Sequence, residues 1–365
     1  MGIKKCIKIV FVIFSVIILS SVFIIGENKI KLTCNQSGDF TILVVSDPQC
    51  DTEGQWQEAR AELETLVQRA NPDFVLINGD MNSKNQIPSD MWDEFISPLT
   101  KRKIYWSTTN GNHDLFRYEY YLMYKKYDTC LNSIVSITDQ NFDFTRPMNY
   151  CLPIYSNNGK KIVFAVYGMD SGQSNSNGYE GLNQKQIDWY LEQSNNLKAQ
   201  NEGKSVTSVL CMHLPIPQTV DMYYSINENG DKLYKVYGVA NEPKHSKRVY
   251  ICENGTCVTN LKIHTSSKEQ DHQVFEIIKK QNDIKAIIFG HDHCTNILGS
   301  YKGVLLGFAG KLSTGCYSDT LCRGGRVIRF NQQNPEKFTT EWLGTLDTSK
   351  DQPQVYSDGT LKEKW

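Results

Sequence analysis

Apolar blocks and turn residues alternate along the chain in an order that predicts strands and helices in succession. Phe40 to Val45 (FTILVV) is a β-branched run that ends abruptly at Ser46-Asp47-Pro48, as a buried strand entering a turn does. Gln55 to Ala70 then sets Ala59, Leu63, Leu66 and Val67 at helical spacing, and Asn71-Pro72 stops that helix. Further buried strands are expected at Phe74 to Ile77, Ile104 to Ser107, Ile162 to Tyr167, Val206 to Met212 and Ile284 to Phe289, the last preceded by a helix at Gln273 to Gln281. Towards the C-terminus the pattern changes. Val304 to Phe308, Gly325 to Phe330 and Phe338 to Leu343 read as consecutive strands with turns between them. Alternation followed by successive strands predicts an α/β protein with a central two-sheet sandwich flanked by helices. Residues 215–268 show no period and read as an irregular, functional or disulfide-tied insertion, and 346–365 read as a polar, poorly ordered tail.

A different kind of block opens the chain. Lys4, Lys5 and Lys8 flank an uncharged apolar run of 18 residues, Ile9 to Gly26. Residues 1–26 are therefore expected to be a signal peptide or an N-terminal membrane anchor, with 27–39 a linker to one domain over 40–345. Cleavage is the expected outcome and an uncleaved anchor the alternative. Either one sends the remaining chain into the secretory pathway, with any membrane contact made through the leader alone. The chain carries 39 Lys+Arg against 40 Asp+Glu, and loss of the leader leaves 36 against 40. That balance excludes a nucleic-acid surface held by bulk electrostatics, so an anionic ligand needs a local site. Ten of the eleven cysteines remain once Cys6 is gone, an even number compatible with disulfides in an oxidising compartment. Cys252/Cys257 and Cys316/Cys322 are candidate small loops, Cys130/Cys151 a looser pairing and Cys211 a buried thiol. Asn35-Gln36-Ser37 and Asn254-Gly255-Thr256 are glycosylation sequons.

Five segments at predicted strand ends concentrate metal-binding side chains: Asp47-Pro48-Gln49, Gly79-Asp80, Gly111-Asn112-His113-Asp114, His213 and Gly290-His291-Asp292-His293. They hold four of the seven histidines, and strand C-terminal ends are where α/β sheets form ligand sites. The residue types suit two cations: Asp80 as a carboxylate able to bridge them, Asp47 as a second negative charge, and Asn112, His213, His291 and His293 as neutral donors. Two carboxylates against two cations leave a positive spot, the anion trap that the overall composition lacks. Each segment alone is compatible with an ordinary turn. Their joint placement carries the argument.

The series DPQ, GD, GNHD, H and GHDH resembles that of the calcineurin-like metallophosphoesterase superfamily, over 40–345. HLPIP, GYEGLNQKQIDWYLEQ and GCYSDTLCRGGRVIRF are similar to its small purple-acid-phosphatase-like group. The resemblance implies a four-layer α/β/β/α sandwich with two central mixed β-sheets. It implies two divalent or trivalent metal ions of the Fe, Mn or Zn type, one held by Asp47, Asp80 and His293 and the other by Asp80, Asn112, His213 and His291. His113 matches the family's catalytic histidine, with Asp114 orienting it, and the implied reaction is attack of a metal-activated hydroxide on a phosphoester substrate. Phosphomonoesters are the expected substrates. A secreted phosphodiesterase similar to acid-sphingomyelinase-like enzymes, or a catalytically weakened metal- or phosphate-binding protein, are the alternatives.

Two positions depart from the pattern. Gln49 stands where the family usually has His, a weaker donor that lowers affinity for Zn²⁺ relative to harder cations. Ser83 stands where purple acid phosphatases carry the metal-ligating tyrosine, so the colour of a tyrosinate on iron is not expected. Tyr223, Tyr224, Tyr234 and Tyr237 either line a leaving-group pocket or pack the insertion.

Overall fold

The period-two pattern of the first apolar run divides its side chains between two layers. Phe40, Ile42 and Val44 enter one core cluster with Phe164, Val166, Val209 and Ile288, while Leu43 and Val45 enter another with Trp56, Leu63, Leu66 and Phe95. Both faces are buried, which is why the run is continuously apolar. A third cluster joins Tyr167, Leu210 and Ile287 to Ile187, Leu197 and Phe275. In the computed structural model, which describes residues 30–81, 89–114, 127, 129–134, 148–175, 178–240, 249–250 and 274–362, these clusters are the three seams of an α/β/β/α sandwich. The fold is the one the sequence led us to expect.

The strands in chain order are β1 (Leu32–Thr33), β2 (Asp39–Val45), β3 (Phe74–Asn78), β4 (Tyr105–Thr109), β5 (Tyr150–Tyr155), β6 (Ile162–Met169), β7 (Ser174–Asn175), β8 (Gly178–Tyr179) and β9 (Ser208–Met212). They continue with β10 (Val236–Tyr237), β11 (Val239–Ala240), β12 (Val249–Tyr250), β13 (Ile284–Phe289), β14 (Leu298–Tyr301), β15 (Val304–Phe308), β16 (Gly324–Asn331), β17 (Thr339–Gly344) and β18 (Val355–Tyr356). One sheet has the order β18-β17-β16-β2-β3-β4 and the other β1-β5-β6-β9-β13-β15-β14-β10. In the first, β2, β3 and β4 are parallel; in the second, β6, β9, β13 and β15 are parallel. Antiparallel strands extend both, so both are mixed. Helix α1 (Glu53–Ala70) and the helices Ser89–Phe95 and Ser97–Arg102 cover the first sheet, and Gln184–Gln200 and Val274–Gln281 cover the second. Thr52 and Gln55 form a reciprocal capping box that starts α1, and Asn71 ends it in the left-handed conformation.

The five chemistry-bearing segments follow the C-terminal ends of β2, β3, β4, β9 and β13. Asn78, at the end of β3, joins the two sheets directly beneath them. Its buried amide donates to the carbonyls of Met212 (3.1 Å) and Ile288 (3.3 Å) on the opposite sheet.

Several expectations are corrected at the edges. Part of the segment expected as linker, Leu32–Thr33, is a strand paired in parallel with β5. The tail is not loose. Val355–Tyr356 pairs with β17, and the buried Gln352 donates to the carbonyl of Asn296 at 2.8 Å. The insertion holds a helix, Gln218–Tyr224, and β10 on the edge of the second sheet. Tyr223 and Tyr237 are buried and Tyr234 packs against the Tyr301 ring, the packing role of the two considered. Cys151, Cys316 and Cys322 are thiols in this structure, which shows neither the Cys316/Cys322 nor the Cys130/Cys151 pairing; Cys211 is a buried thiol as expected. Residues 1–26, Ser83, Cys252, Cys257 and Asn254 lie outside the described residues. Among the described residues no helix is long and apolar enough to cross a membrane.

Candidate metal centre

Four residues of the site adopt positive φ without being glycine: Asp47 (53°), Gln49 (42°), Asp80 (53°) and His291 (74°). Each such residue costs about 1 kcal/mol or more. The concentration of strain here marks loops held in place by their surroundings. The Asp47, Gln49 and Cys50 N–H groups donate to the carbonyls of Gly79, Asp80 and Met81 at 3.0–3.1 Å, knitting the loop after β2 to the loop after β3.

Two groups of donors result. Asp80, His213 and His291 form one, and Asp47, Asp80 and His293 the other, each with its ligand atoms within 4.8 Å of one another. Asp80 belongs to both. Its Oδ1 accepts from the His113 N–H (2.8 Å) and its Oδ2 from Gln49 Nε2 (2.9 Å), with His213 Nε2 at 3.2 Å. Asp47 Oδ2 accepts from Ser46 Oγ and from the His291 N–H. Its Oδ1 makes no hydrogen bond and faces His293 Nε2 (3.4 Å) and His213 Nε2 (3.7 Å).

The histidine rings are oriented from behind. His213 Nδ1 lies 2.8 Å from the Asn78 carbonyl and His293 Nδ1 2.8 Å from the Tyr317 carbonyl, which turns both Nε2 atoms towards the carboxylates. His291 Nδ1 lies 2.9 Å from Asn112 Oδ1, which brings that expected donor to the same edge of the site. The rings of Tyr179 and Tyr317 pack on His291 and His293 at 4.4 and 4.1 Å. Neither tyrosine stood out in the sequence, because ring packing has no spacing signature.

The donor set fits cations. Asp47 Oδ1, Gln49 Oε1 and His213 Nε2 are buried atoms without an aligned hydrogen bond. Asp47 and His213 have ion-pair neighbours at 3.2–3.7 Å, while Gln49 Oε1 has none, a state that costs roughly 1–3 kcal/mol unless something satisfies it. Gln49 is informative here, because its Nε2 is committed to Asp80 and its carbonyl oxygen is the atom left over. Electrostatics agree. Burial opposes the charge on Asp47, but His213 and His293 outweigh it and hold the carboxyl below the usual range. Burial likewise opposes the charge on His213, yet Asp80 and Asp47 raise its pKa to about 10. Burial and the facing His213 push His291 down to about 3, leaving a neutral imidazole. A cation bound at His213 would take the place of that proton.

Asp114 does something other than expected. Its carboxylate accepts the backbone N–H groups of Asp80 (2.7 Å), Met81 (2.9 Å) and Gly111 (2.8 Å), and makes no hydrogen bond to the His113 ring. It ties the loop after β3 to the loop after β4. That close approach needs glycine, since a Cβ on Gly111 would lie 2.1 Å from Asp80 Oδ1 and 2.5 Å from Asp80 N. Gly111→Ala is expected to displace Asp80 and weaken metal binding at least about tenfold. Elemental analysis after dialysis against limiting metal measures this; wild-type metal content would contradict it.

A carboxylate shared by two imidazole-bearing groups, at the converging strand ends of an α/β/β/α sandwich, makes a candidate two-metal centre. The family model for calcineurin-like phosphoesterases matches residues 40–295, and the chain belongs to that family. It is 23% identical over 327 residues to a protein of Arabidopsis thaliana named "Probable inactive purple acid phosphatase 29", covering 77% of this chain and 73% of that one. Among solved structures it is similar to a dimetal phosphatase from Danio rerio, with a TM-score of 0.52 and 11% identity over 88% of this chain and 99% of that chain. A purple acid phosphatase from yellow lupin (Lupinus luteus) seeds aligns with a TM-score of 0.46 and 10% identity, over 90% of this chain and 54% of that one.

Proposed function

We propose that this protein is a metal-dependent hydrolase of phosphomonoesters, and that residues 1–26 are a leader that sends it to the secretory or extracellular space. The observation that carries the reading is Asp80, placed in both donor groups and surrounded by buried atoms of Asp47, Gln49 and His213 that lack an aligned hydrogen bond. When bound, two cations lower the pKa of a water nucleophile and neutralise phosphoryl charge. The chain's own residues do the rest. Asp47, Gln49, Asp80, Asn112, His213, His291 and His293 would hold the cations, with only two carboxylates, Asp47 and Asp80, to offset their charge. His113, whose backbone N–H is pinned to Asp80 Oδ1 at 2.8 Å, supplies or holds a proton at the leaving oxygen.

Preference for monoesters rests on the likeness to purple-acid-phosphatase-like sequences. Purified protein reconstituted with Mn²⁺, Zn²⁺ or Fe is expected to hydrolyse p-nitrophenyl phosphate faster than the bis ester. His113→Ala should lower turnover by about 10²-fold or more at unchanged metal content. Faster diester cleavage would move the substrate class to phosphodiesters, and normal turnover of the His113 variant would remove that residue from the chemistry. Gln49 favours a second reading, a metal-binding protein without turnover, in keeping with the word "inactive" in the name of the Arabidopsis relative. Two bound metal equivalents without hydrolysis of either ester would support it.

A further inference from the structure

The loop Ser46–Cys50 supplies two of the metal donors and holds two residues at positive φ, Asp47 and Gln49. Besides its ties to the loop after β3, it is held from 311–315, a segment to which the motif series does not extend. The Lys311 ammonium, fully buried, donates to the Asp47 carbonyl at 2.6 Å. Ser313 Oγ donates to the next carbonyl, that of Pro48, at 2.5 Å. The Leu312 N–H donates to the carbonyl of Ser46 at 3.1 Å. Gly315 completes the cradle, because a Cβ there would lie 2.0 Å from the Gln49 carbonyl oxygen. Three consecutive peptide planes, 46 to 48, are thus each gripped by one group from this segment.

The segment is itself braced from α1. The Ser313 N–H donates to Glu62 Oε2 at 2.7 Å, and the Thr314 N–H and hydroxyl donate to Glu58 Oε2 at 2.8 and 2.6 Å. Glu58 and Glu62, one helical turn apart, both pair with Arg323. A rigid helix therefore fixes a loop that fixes the metal-bearing loop.

We infer that Lys311 and Ser313, braced by the Glu58–Glu62–Arg323 cluster, are positioning residues for the Asp47–Gln49 side of the centre. The inference rests on the metal-dependent reading above. Orienting the peptide planes of Asp47 and Pro48 aims the side chains of Asp47 and Gln49, so loss of a grip lets their free oxygens drift. Ligand geometry tolerates only about 0.5 Å of such drift. The group Asp80, His213 and His291 is oriented chiefly through Asn78, Asn112 and the loop after β4. It meets the Asp47–Gln49 loop at the Gln49–Asp80 and His291–Asp47 hydrogen bonds, so the effect falls more heavily on the Asp47–His293 side.

Ser313→Gly is the discriminating variant. Ser313 has φ 59°, which glycine adopts without strain, so the fold is kept while the hydroxyl is lost. In calorimetric titration of the full protein with Mn²⁺, one of the two binding events is expected to weaken about 10–100-fold, and the other, coupled to it through Asp80, to weaken clearly less. Lys311→Met should act on the same event. If both events keep wild-type affinity in Ser313→Gly, the segment serves stability alone and the inference is overturned. Equal weakening of both events would overturn the bias towards the Asp47–His293 side. A wild-type protein that binds no Mn²⁺, Zn²⁺ or Fe²⁺ at all would instead overturn the metal-dependent reading on which this stands.

Discussion

Asp80→Asn is expected to abolish phosphoester hydrolysis, by at least about 10³-fold or roughly 4 kcal/mol of transition-state stabilisation, and to release both metals together. The size follows from where its two oxygens lie. Oδ1 accepts the His113 N–H and Oδ2 accepts from Gln49 Nε2 beside His213 Nε2. An asparagine keeps one oxygen, which the His113 N–H claims. The amide nitrogen then replaces Oδ2 and turns two hydrogens towards the Gln49 amide, a donor facing a donor. It cannot ligate a cation, and the carboxylate common to both groups is gone. Elemental analysis and p-nitrophenyl phosphate turnover on the same preparation measure the result. Loss of one metal with the other retained would mean that Asp80 does not serve both positions.

The strands legible in the sequence are those buried on both faces or nearly so, where burial demands an apolar run: β2, β3, β4, β6, β9, β13, β15, β16 and β17. β5 escaped notice because Tyr150–Tyr155 (YCLPIY) is mostly half-buried and carries Pro153, and β14 because LGSY is short and holds a glycine. The tail was misjudged for a similar reason. Gln352 and Val355 are buried, yet they sit among residues whose polarity reflects an exposed face.

Within the site, the donors stood out because cation chemistry restricts them to Asp, His, Asn and Gln at strand ends. The residues that hold those donors did not, since their partners are backbone groups. Lys311 and Ser313 bind carbonyls of residues more than 260 positions away, and any residue type offers a carbonyl. Asn78 was passed over beside Gly79-Asp80 for the same reason, although it joins the two sheets. Asp114 is the clearest case: adjacent to His113 in sequence, it faces three backbone N–H groups instead.

That placement makes Asp114→Ala a test of whether the residue acts through the loops or through His113. Removing the carboxylate leaves the N–H groups of Asp80, Met81 and Gly111 without their acceptor. At roughly 1–3 kcal/mol for each unsatisfied group, the expected loss of stability is about 3 kcal/mol or more, a fall in Tm of roughly 5–10 °C. Metal affinity should fall with it, because Gly79-Asp80 is no longer tied to Gly111. Asp114→Asn separates the contributions. Its one oxygen can still accept from Asp80 and Gly111, which share Oδ2, while its amide meets the Met81 N–H as a second donor. One bond is lost and two are kept, so Tm should lie between those of wild type and Asp114→Ala. A residue that merely oriented the His113 ring would behave differently: both variants would lower kcat while Tm and metal affinity stayed at wild-type values. Thermal unfolding and metal titration of the two variants, read beside the turnover of His113→Ala, decide between the loop tie seen here and a role at the imidazole.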